Sequence, residues 1–204
     1  MSLVVWILLG LVVLVVLYGI ITYNRFVTLR NRIENSWAQI DVQLQRRHDL
    51  IPNLVETVKG YAAHESGTLE AVVQARNAAM SAQGPAQQGE AENMLSGALK
   101  SLFALSEAYP DLKANQNFAQ LQEELSGTEG KLAYARQYYN DVVNRYNTLT
   151  QTFPSVIIGN LANFDEREYF ETDEVARRNV EVSFGVSPTP APASPPPASP
   201  SQPS

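Results

Sequence analysis

The sequence contains no cysteine and only two histidines. The absence of cysteine excludes disulfide bonds, thiolate catalysis and cysteine-based zinc sites. Helical di-metal sites place a glutamate three residues before a histidine, but Gln45 precedes His48 and Tyr61 precedes His64 at that distance. No second histidine follows either one as in zinc proteases. We expect no metal site, and we interpret both histidines as solvated or helix-capping residues.

Motifs of the common enzyme classes are also absent. The chain has no G-x-S-x-G, no Walker-type loop and no G-x-G-x-x-G, so serine hydrolases, NTPases and dinucleotide enzymes have no support. Asp and Glu number 21 against 15 Lys and Arg, for a net charge of −6, whereas nucleic-acid binding needs a basic surface. We therefore expect a protein that is not an enzyme, uses no cofactor and binds no nucleic acid.

A long uncharged apolar segment lies at the N-terminus. Residues 3–21 contain no Asp, Glu, Lys or Arg, and about 20 apolar residues in a helix span the ~30 Å hydrocarbon core of a bilayer. A cleaved signal peptide would have a basic start, a shorter apolar run and a small-residue cleavage site, and none of these is seen. Residues 1–23 are thus predicted to be a retained transmembrane anchor. The predicted anchors at the membrane interfaces are Trp6, Tyr18, Tyr23 and Arg25.

Flanking charge predicts the orientation of this anchor. No Lys or Arg precedes the span, whereas Arg25, Arg30 and Arg32 follow it closely. Because positive residues stay on the cytoplasmic side, the N-terminus is predicted to be outside and the following domain cytoplasmic.

Helical periodicity begins directly after the anchor. Apolar side chains recur every three or four residues over residues 26–44, and no Gly or Pro occurs between Ile20 and Leu50. The membrane helix should therefore continue into the soluble domain. Pro52 either kinks this helix or starts a new one. The predicted fold is all-α: a single N-terminal transmembrane helix continuing into an antiparallel bundle of long helices over residues 24–170.

Gly, Pro and apolar spacing predict the later boundaries. Residues 84–89 are interpreted as a loop because of their Gly and Pro, followed by a helix from Ala91 to Ala108. Asn117 and Gln120 resemble a capping box at the start of the next helix. The apolar stripe over residues 118–149 has the near-heptad spacing of helices that pack in bundles.

Beyond Pro154 the pattern is weaker. Residues 156–161 are predicted to form one short helical turn. The aromatic residues Phe164, Tyr169 and Phe170 are expected to pack back on the bundle. Residues 171–186 read as an extended C-terminal segment, because Val180, Val182 and Phe184 alternate with polar residues. Residues 187–204 contain only Ser, Pro, Thr, Ala and Gln. This Pro/Ser/Ala-rich tail is predicted to be disordered.

Two polar groups are candidates for recognition. Arg46 and Arg47, with Asp41 and Asp49, could form a polar recognition face. The favoured interpretation is an exposed helix face with intrahelical ion pairs, each contributing a few tenths of a kcal/mol.

A band of aromatic and amide side chains lies on the last long helix. We interpret it as core rings whose hydroxyls are hydrogen-bonded, with asparagines alongside. A ligand groove is the alternative. The residues are Tyr138, Tyr139, Asn140, Asn144, Tyr146 and Asn147.

The sequence resembles the LemA family of bacterial membrane proteins over about residues 1–185. The motifs that carry the resemblance are Tyr23–Asn31, Trp37–Val55, Val58–Tyr61 with His64-Glu65, Tyr109–Ala114, Thr128-Glu129, Ala135-Arg136, Tyr139-Asn140, Tyr146-Asn147 and Phe153–Ser155. One departure is Arg177–Asn179, where similar proteins often carry a proline. The resemblance implies one N-terminal helix in the bacterial inner membrane, an outside N-terminus and a cytoplasmic antiparallel bundle. It supplies no catalytic residues.

The expected function is a membrane-anchored helical scaffold without catalysis. Its expected partners are the lipid bilayer and other proteins, including further copies of the chain. The alternatives are an envelope-stress sensor or adaptor for a membrane protease, suggested by the resemblance, and a small-ligand-binding bundle.

Overall fold

The computed structural model describes residues 2–170. This part of the chain is all-α, as predicted. The helices are α1 Leu3–Lys59, α2 Ser66–Ser81, α3 Gly84–Ser106, α4 Pro110–Lys113, α5 Gln116–Gln151 and α6 Ser155–Leu161. The predictions for residues 171–186 and 187–204 fall outside the described residues.

Helix α1 is one uninterrupted helix of 57 residues that contains both the apolar segment and the first helix of the bundle. Pro52 neither ends nor restarts it. A proline inside a helix leaves the carbonyl four residues earlier without its usual N–H donor. Here that carbonyl belongs to His48, and Arg76 on α2 donates to it from Nε at 2.7 Å. An interhelical hydrogen bond therefore replaces the missing backbone bond.

Two predicted boundaries are wrong. Residues 84–89 are helical rather than a loop, because α3 begins at Gly84 and has Pro85 in its first turn, where a missing N–H costs nothing. Gly84 has φ +79°, a conformation that glycine adopts without strain. Helix α5 is capped by Asn115 rather than Asn117, since the Asn115 Oδ1 accepts from the Phe118 N–H at 3.0 Å.

Helices α1 and α5 pack antiparallel along most of the bundle, and α2 packs with α3. The rings of Phe26 and Tyr146 meet edge to face. Further along, the rings of Trp37 and Tyr139 pack at a tilt of 60°, with centroids 5.6 Å apart. The core consists of two clusters of buried apolar residues. The first, nearer the apolar segment, includes Phe26, Ile40, Leu44, Leu132 and Tyr146; the second includes Ile51, Leu54, Leu95, Phe118 and Leu125.

The chain after α5 folds back on the bundle, as predicted. Helix α6 covers part of α1 and α5. Phe164 stacks on Phe26 with ring centroids 4.7 Å apart, and Phe170 is buried beside Trp37. The short helical turn predicted at residues 156–161 corresponds to α6.

Candidate functional site

The structure separates the four predicted membrane-interface residues into two groups. Trp6 is exposed near the start of α1, about 18 Å along the helix from Tyr18. Tyr18 and Arg25 line one surface cavity of about 410 Å³, and Tyr23 packs on Phe164 with ring centroids 5.6 Å apart. Three of the four thus lie where the apolar segment enters the bundle, with Tyr23 outside the cavity that the other two line. Their role as anchors stays a prediction.

A buried ionic network lies further along α1, and Glu92 of α3 is its centre. This carboxylate is fully buried. Arg47 donates from Nη1 to Glu92 Oε2 at 2.8 Å, and His48 Nε2 lies 2.6 Å from Oε1. Gln88 donates to the same Oε1 at 3.2 Å. Both carboxylate oxygens therefore have partners although no solvent reaches them.

The network continues onto α5. Arg47 Nη2 donates to Ser96 Oγ at 2.8 Å and lies 2.9 Å from Glu129 Oε2. Glu129 is half-exposed and also lies 4.0 Å from Arg136 Nη1. The Arg136 guanidinium is 4.7 Å from the centre of the Phe170 ring, within the range of a cation–π contact. The positive charges of two arginines and the negative charges of two glutamates thus offset each other across three helices.

The charges of this network are reflected in its pKa values. Burial alone raises the pKa of Glu92, but the hydrogen bond from His48 and the charge of Arg47 outweigh it, so the pKa is lowered overall. Glu92 is therefore ionised at neutral pH. Burial also lowers the pKa of Arg136, and Glu129 opposes that change.

These contacts correct two predictions. Arg47 and His48 are buried rather than part of an exposed face or solvated, whereas Arg46 and His64 are exposed. A signal for this arrangement exists in the sequence. In α1 the apolar stripe is interrupted between Leu44 and Ile51, and in α5 it is interrupted between Leu125 and Leu132. Each helix thus has polar residues in place of one turn or more of its apolar stripe.

We interpret the network as a polar layer that separates the two core clusters. Leu44 and Leu132 belong to the cluster on one side, and Ile51 and Leu125 to the cluster on the other. Buried polar groups of this kind can fix the register of packed helices because a shifted register leaves a charge without a partner. Within residues 2–170, no three His, Asp or Glu side chains are arranged to hold a metal ion.

A second polar arrangement lies on α5, where two asparagines hold the extended chain that follows α6. Asn147 donates to the Arg167 carbonyl at 2.8 Å and accepts from the Arg167 N–H at 2.9 Å. Asn140 makes the same pair with Phe170, at 3.1 and 2.9 Å. Seven residues of helix rise about 10.5 Å, and three residues of extended chain span about 10 Å. The two spacings match, so each side-chain amide pairs with the backbone N–H and C=O of one residue.

The neighbouring tyrosines partly follow the prediction of hydrogen-bonded core rings. Tyr139 and Tyr146 are buried, and the Tyr139 hydroxyl donates to the Glu168 carbonyl at 2.9 Å. Burial raises the pKa of Tyr139 to about 12. Tyr138 is exposed instead. The band therefore binds the chain's own residues 167–170, and it is not an open ligand groove along that stretch.

The fold and these sites define a class: over residues 2–170, an all-helical bundle that continues from one candidate membrane-spanning helix. Within residues 2–170, α1 is the one helix long and apolar enough to cross a bilayer. A family model described as the LemA family matches residues 36–184. The chain belongs to the LemA family, which confirms the resemblance found in the sequence.

Curated relatives agree with this assignment. The chain is 25% identical over 164 residues to Protein LemA of Metamycoplasma hominis, covering 78% of this chain and 74% of that protein. It is 24% identical over 175 residues to Magnetosome protein MamQ 2 of Paramagnetospirillum magneticum, covering 73% of this chain and 64% of the relative. A similar match is to Magnetosome protein MamQ of Magnetospirillum gryphiswaldense, at 24% identity, 72% of this chain and 64% of the relative. These relatives support a membrane-associated protein, and no catalytic function is shown.

Proposed function

We propose that this protein is a membrane-anchored scaffold that holds a rigid helical bundle at a fixed distance from the bilayer for contact with other proteins. The observation that carries the proposal is the continuity of α1 from Leu3 to Lys59. A helix rises 1.5 Å per residue, so Lys59 lies about 57 Å beyond Ile21. A continuous helix cannot hinge as a flexible linker does, and α1 therefore transmits the position of the membrane to the whole bundle.

One face of the bundle suits protein contact. Val42 of α1 and Tyr134 and Tyr138 of α5 are exposed large apolar side chains, with 75% of Tyr134 accessible. Val42 and Tyr134 line a surface groove of about 440 Å³ together with Lys131. Exposed aromatic residues are enriched at protein interfaces, where they supply large contact areas at low entropic cost.

Site-specific photocrosslinking in native membranes tests this proposal. A photoreactive amino acid at Tyr134 should give protein adducts that mass spectrometry identifies. The matched control is the same amino acid at Met94, an exposed apolar residue of α3. Equal yields at both positions, or none at either, would contradict the proposed face. The identity of the adduct also distinguishes two partners. A second copy of the chain would indicate self-association, and a membrane protease would support the adaptor hypothesis.

We further propose that the bundle is cytoplasmic, as predicted from Arg25, Arg30 and Arg32. The lack of natural cysteine allows a clean test with single cysteines at Ser2 and Gln120. A membrane-impermeant maleimide should label Ser2→Cys in intact cells from outside, and label Gln120→Cys only after the membrane is opened. The reverse labelling pattern would overturn the orientation.

A further inference from the structure

Helix α6 lies beside the last turns of the apolar segment. A Cβ atom built on Gly19 of α1 would lie 3.8 Å from Ile158 Cδ1. A Cβ on Gly159 would lie 3.3 Å from Phe26 Cζ. The two elements are thus in contact at the height where the apolar run ends at Ile21. Any bilayer that surrounds the span therefore reaches the level of α6.

The surface of α6 and the preceding connection is uncharged and exposes three large apolar side chains. Phe153 is 82% exposed, Ile157 55% and Leu161 81%. No Asp, Glu, Lys or Arg occurs from Tyr146 to Phe164. Exposed apolar clusters of this kind mark contact sites for membranes or proteins, and we name Phe153, Ile157 and Leu161 the α6 tip.

Positive charge lies at the edge of the tip. Arg25 of α1 and Arg145 of α5 line the same cavity as Tyr18 and Phe153. Both arginines are exposed. Guanidinium groups bind phosphate oxygens well, and an aromatic ring with an apolar body and a polar end suits the membrane interface. Apolar side chains suit the acyl chains of a bilayer, and arginines beside them suit the phosphates of its headgroups.

We propose that the α6 tip inserts into the membrane interface beside the span, so that the protein contacts the bilayer at two places. Interfacial segments bury an apolar face about 5–10 Å into the headgroup and acyl boundary. The lipid surface is the occupant because α6 already packs on the spanning helix at the level of Gly19. The second contact fixes the tilt of the bundle, which a single helix leaves free.

Fluorescent probes on single cysteines test the insertion. The full chain, carrying an environment-sensitive nitrobenzoxadiazole at Phe153→Cys or at Leu161→Cys, is reconstituted in phosphatidylcholine and phosphatidylglycerol vesicles. The control is the same probe at Tyr134→Cys. Tyr134 is 75% exposed, close to the values for Phe153 and Leu161, and lies on the proposed protein-binding face. Some of the lipids carry a spin label near the top of the acyl chain, which quenches probes at that depth.

We expect the probes at 153 and 161 to emit further to the blue and to be quenched severalfold more by the labelled lipid than the probe at 134. Quenching equal to that at 134 would overturn the proposal. Protection from aqueous iodide without lipid quenching would also overturn it, because the tip would then be covered by a second copy of the chain. The vesicles contain no other protein, so the result is independent of the proposed scaffold function.

Discussion

The substitution Glu92→Gln tests whether the polar layer is a structural ion-pair network. It keeps the size of the side chain and removes its charge. Arg47 then keeps the Ser96 hydroxyl but has Glu129, which is half-exposed, as its remaining carboxylate partner, and His48 loses its carboxylate partner. The new amide also presents N–H groups to side chains that are themselves donors. Removing one partner of a buried ion pair costs about 3–5 kcal/mol.

The matched control is Glu124→Gln. Glu124 pairs with Arg46, the neighbour of Arg47, at 3.7 Å, and neither side chain is buried: Arg46 is 55% and Glu124 36% exposed. Exposed pairs of this type contribute about 0–1 kcal/mol. Thermal unfolding of the full chain in detergent, followed by circular dichroism, measures both variants. About 3–5 kcal/mol corresponds to ~6–20 °C in Tm for a domain of this size, so Glu92→Gln should lower Tm far more than Glu124→Gln. Equal shifts would refute the reasoning.

The remaining predictions concern pH, the asparagine pairs and a helix-interior glycine. Because the pKa of Glu92 is lowered on folding, its contribution to stability is present above the unfolded pKa and lost as the pH falls through the folded one. The difference in unfolding free energy between wild type and Glu92→Gln, measured with urea, should therefore disappear only at a pH below 4.5, the ordinary pKa of the carboxyl group. A difference that disappears near neutral pH would contradict this. Asn147→Ala removes two hydrogen bonds to the backbone of Arg167, each contributing about 1 kcal/mol, and should speed tryptic cleavage after Arg167. The control is Asn144→Ala, which loses only the 3.3 Å contact with the Tyr169 hydroxyl. Equal cleavage rates in the two variants would exclude the pairing. Gly127 lies inside α5 with nothing within 4 Å of an added Cβ, so Gly127→Ala should raise the unfolding free energy by about 0.5–1 kcal/mol, and a decrease would reveal a close contact there.

The long helices could be predicted because each buries one apolar stripe. Residues such as Phe26, Ile33 and Ile40 recur with the helical period, and all three are buried. The start of α3 could not be predicted from the same information. Gly84 and Pro85 are common in loops, and only the contacts of α3 with α2 decide that they begin a helix.

The polar contacts were harder to predict for a different reason. Charged residues are rarely buried unless they are paired, and the partner of Arg47 lies 45 residues away at Glu92. Spacing along one helix can reveal a polar gap in its apolar stripe, but it does not identify the partner on another helix. The asparagines at 140 and 147 are likewise two helical turns apart, but only the position of the chain at Arg167 and Phe170 reveals what they bind.

The continuity of α1 has a consequence for the order of synthesis. Ribosomes produce the chain from the N-terminus, so α1 is complete before its main packing partner exists. Phe26 and Tyr146 pack together but are about 120 residues apart in the chain, an interval of roughly 6–24 s at ~5–20 residues per second. During that time the buried stripe of α1, including Arg47, has no α5 to cover it. The apolar segment is therefore available to a membrane before the core of the bundle can close.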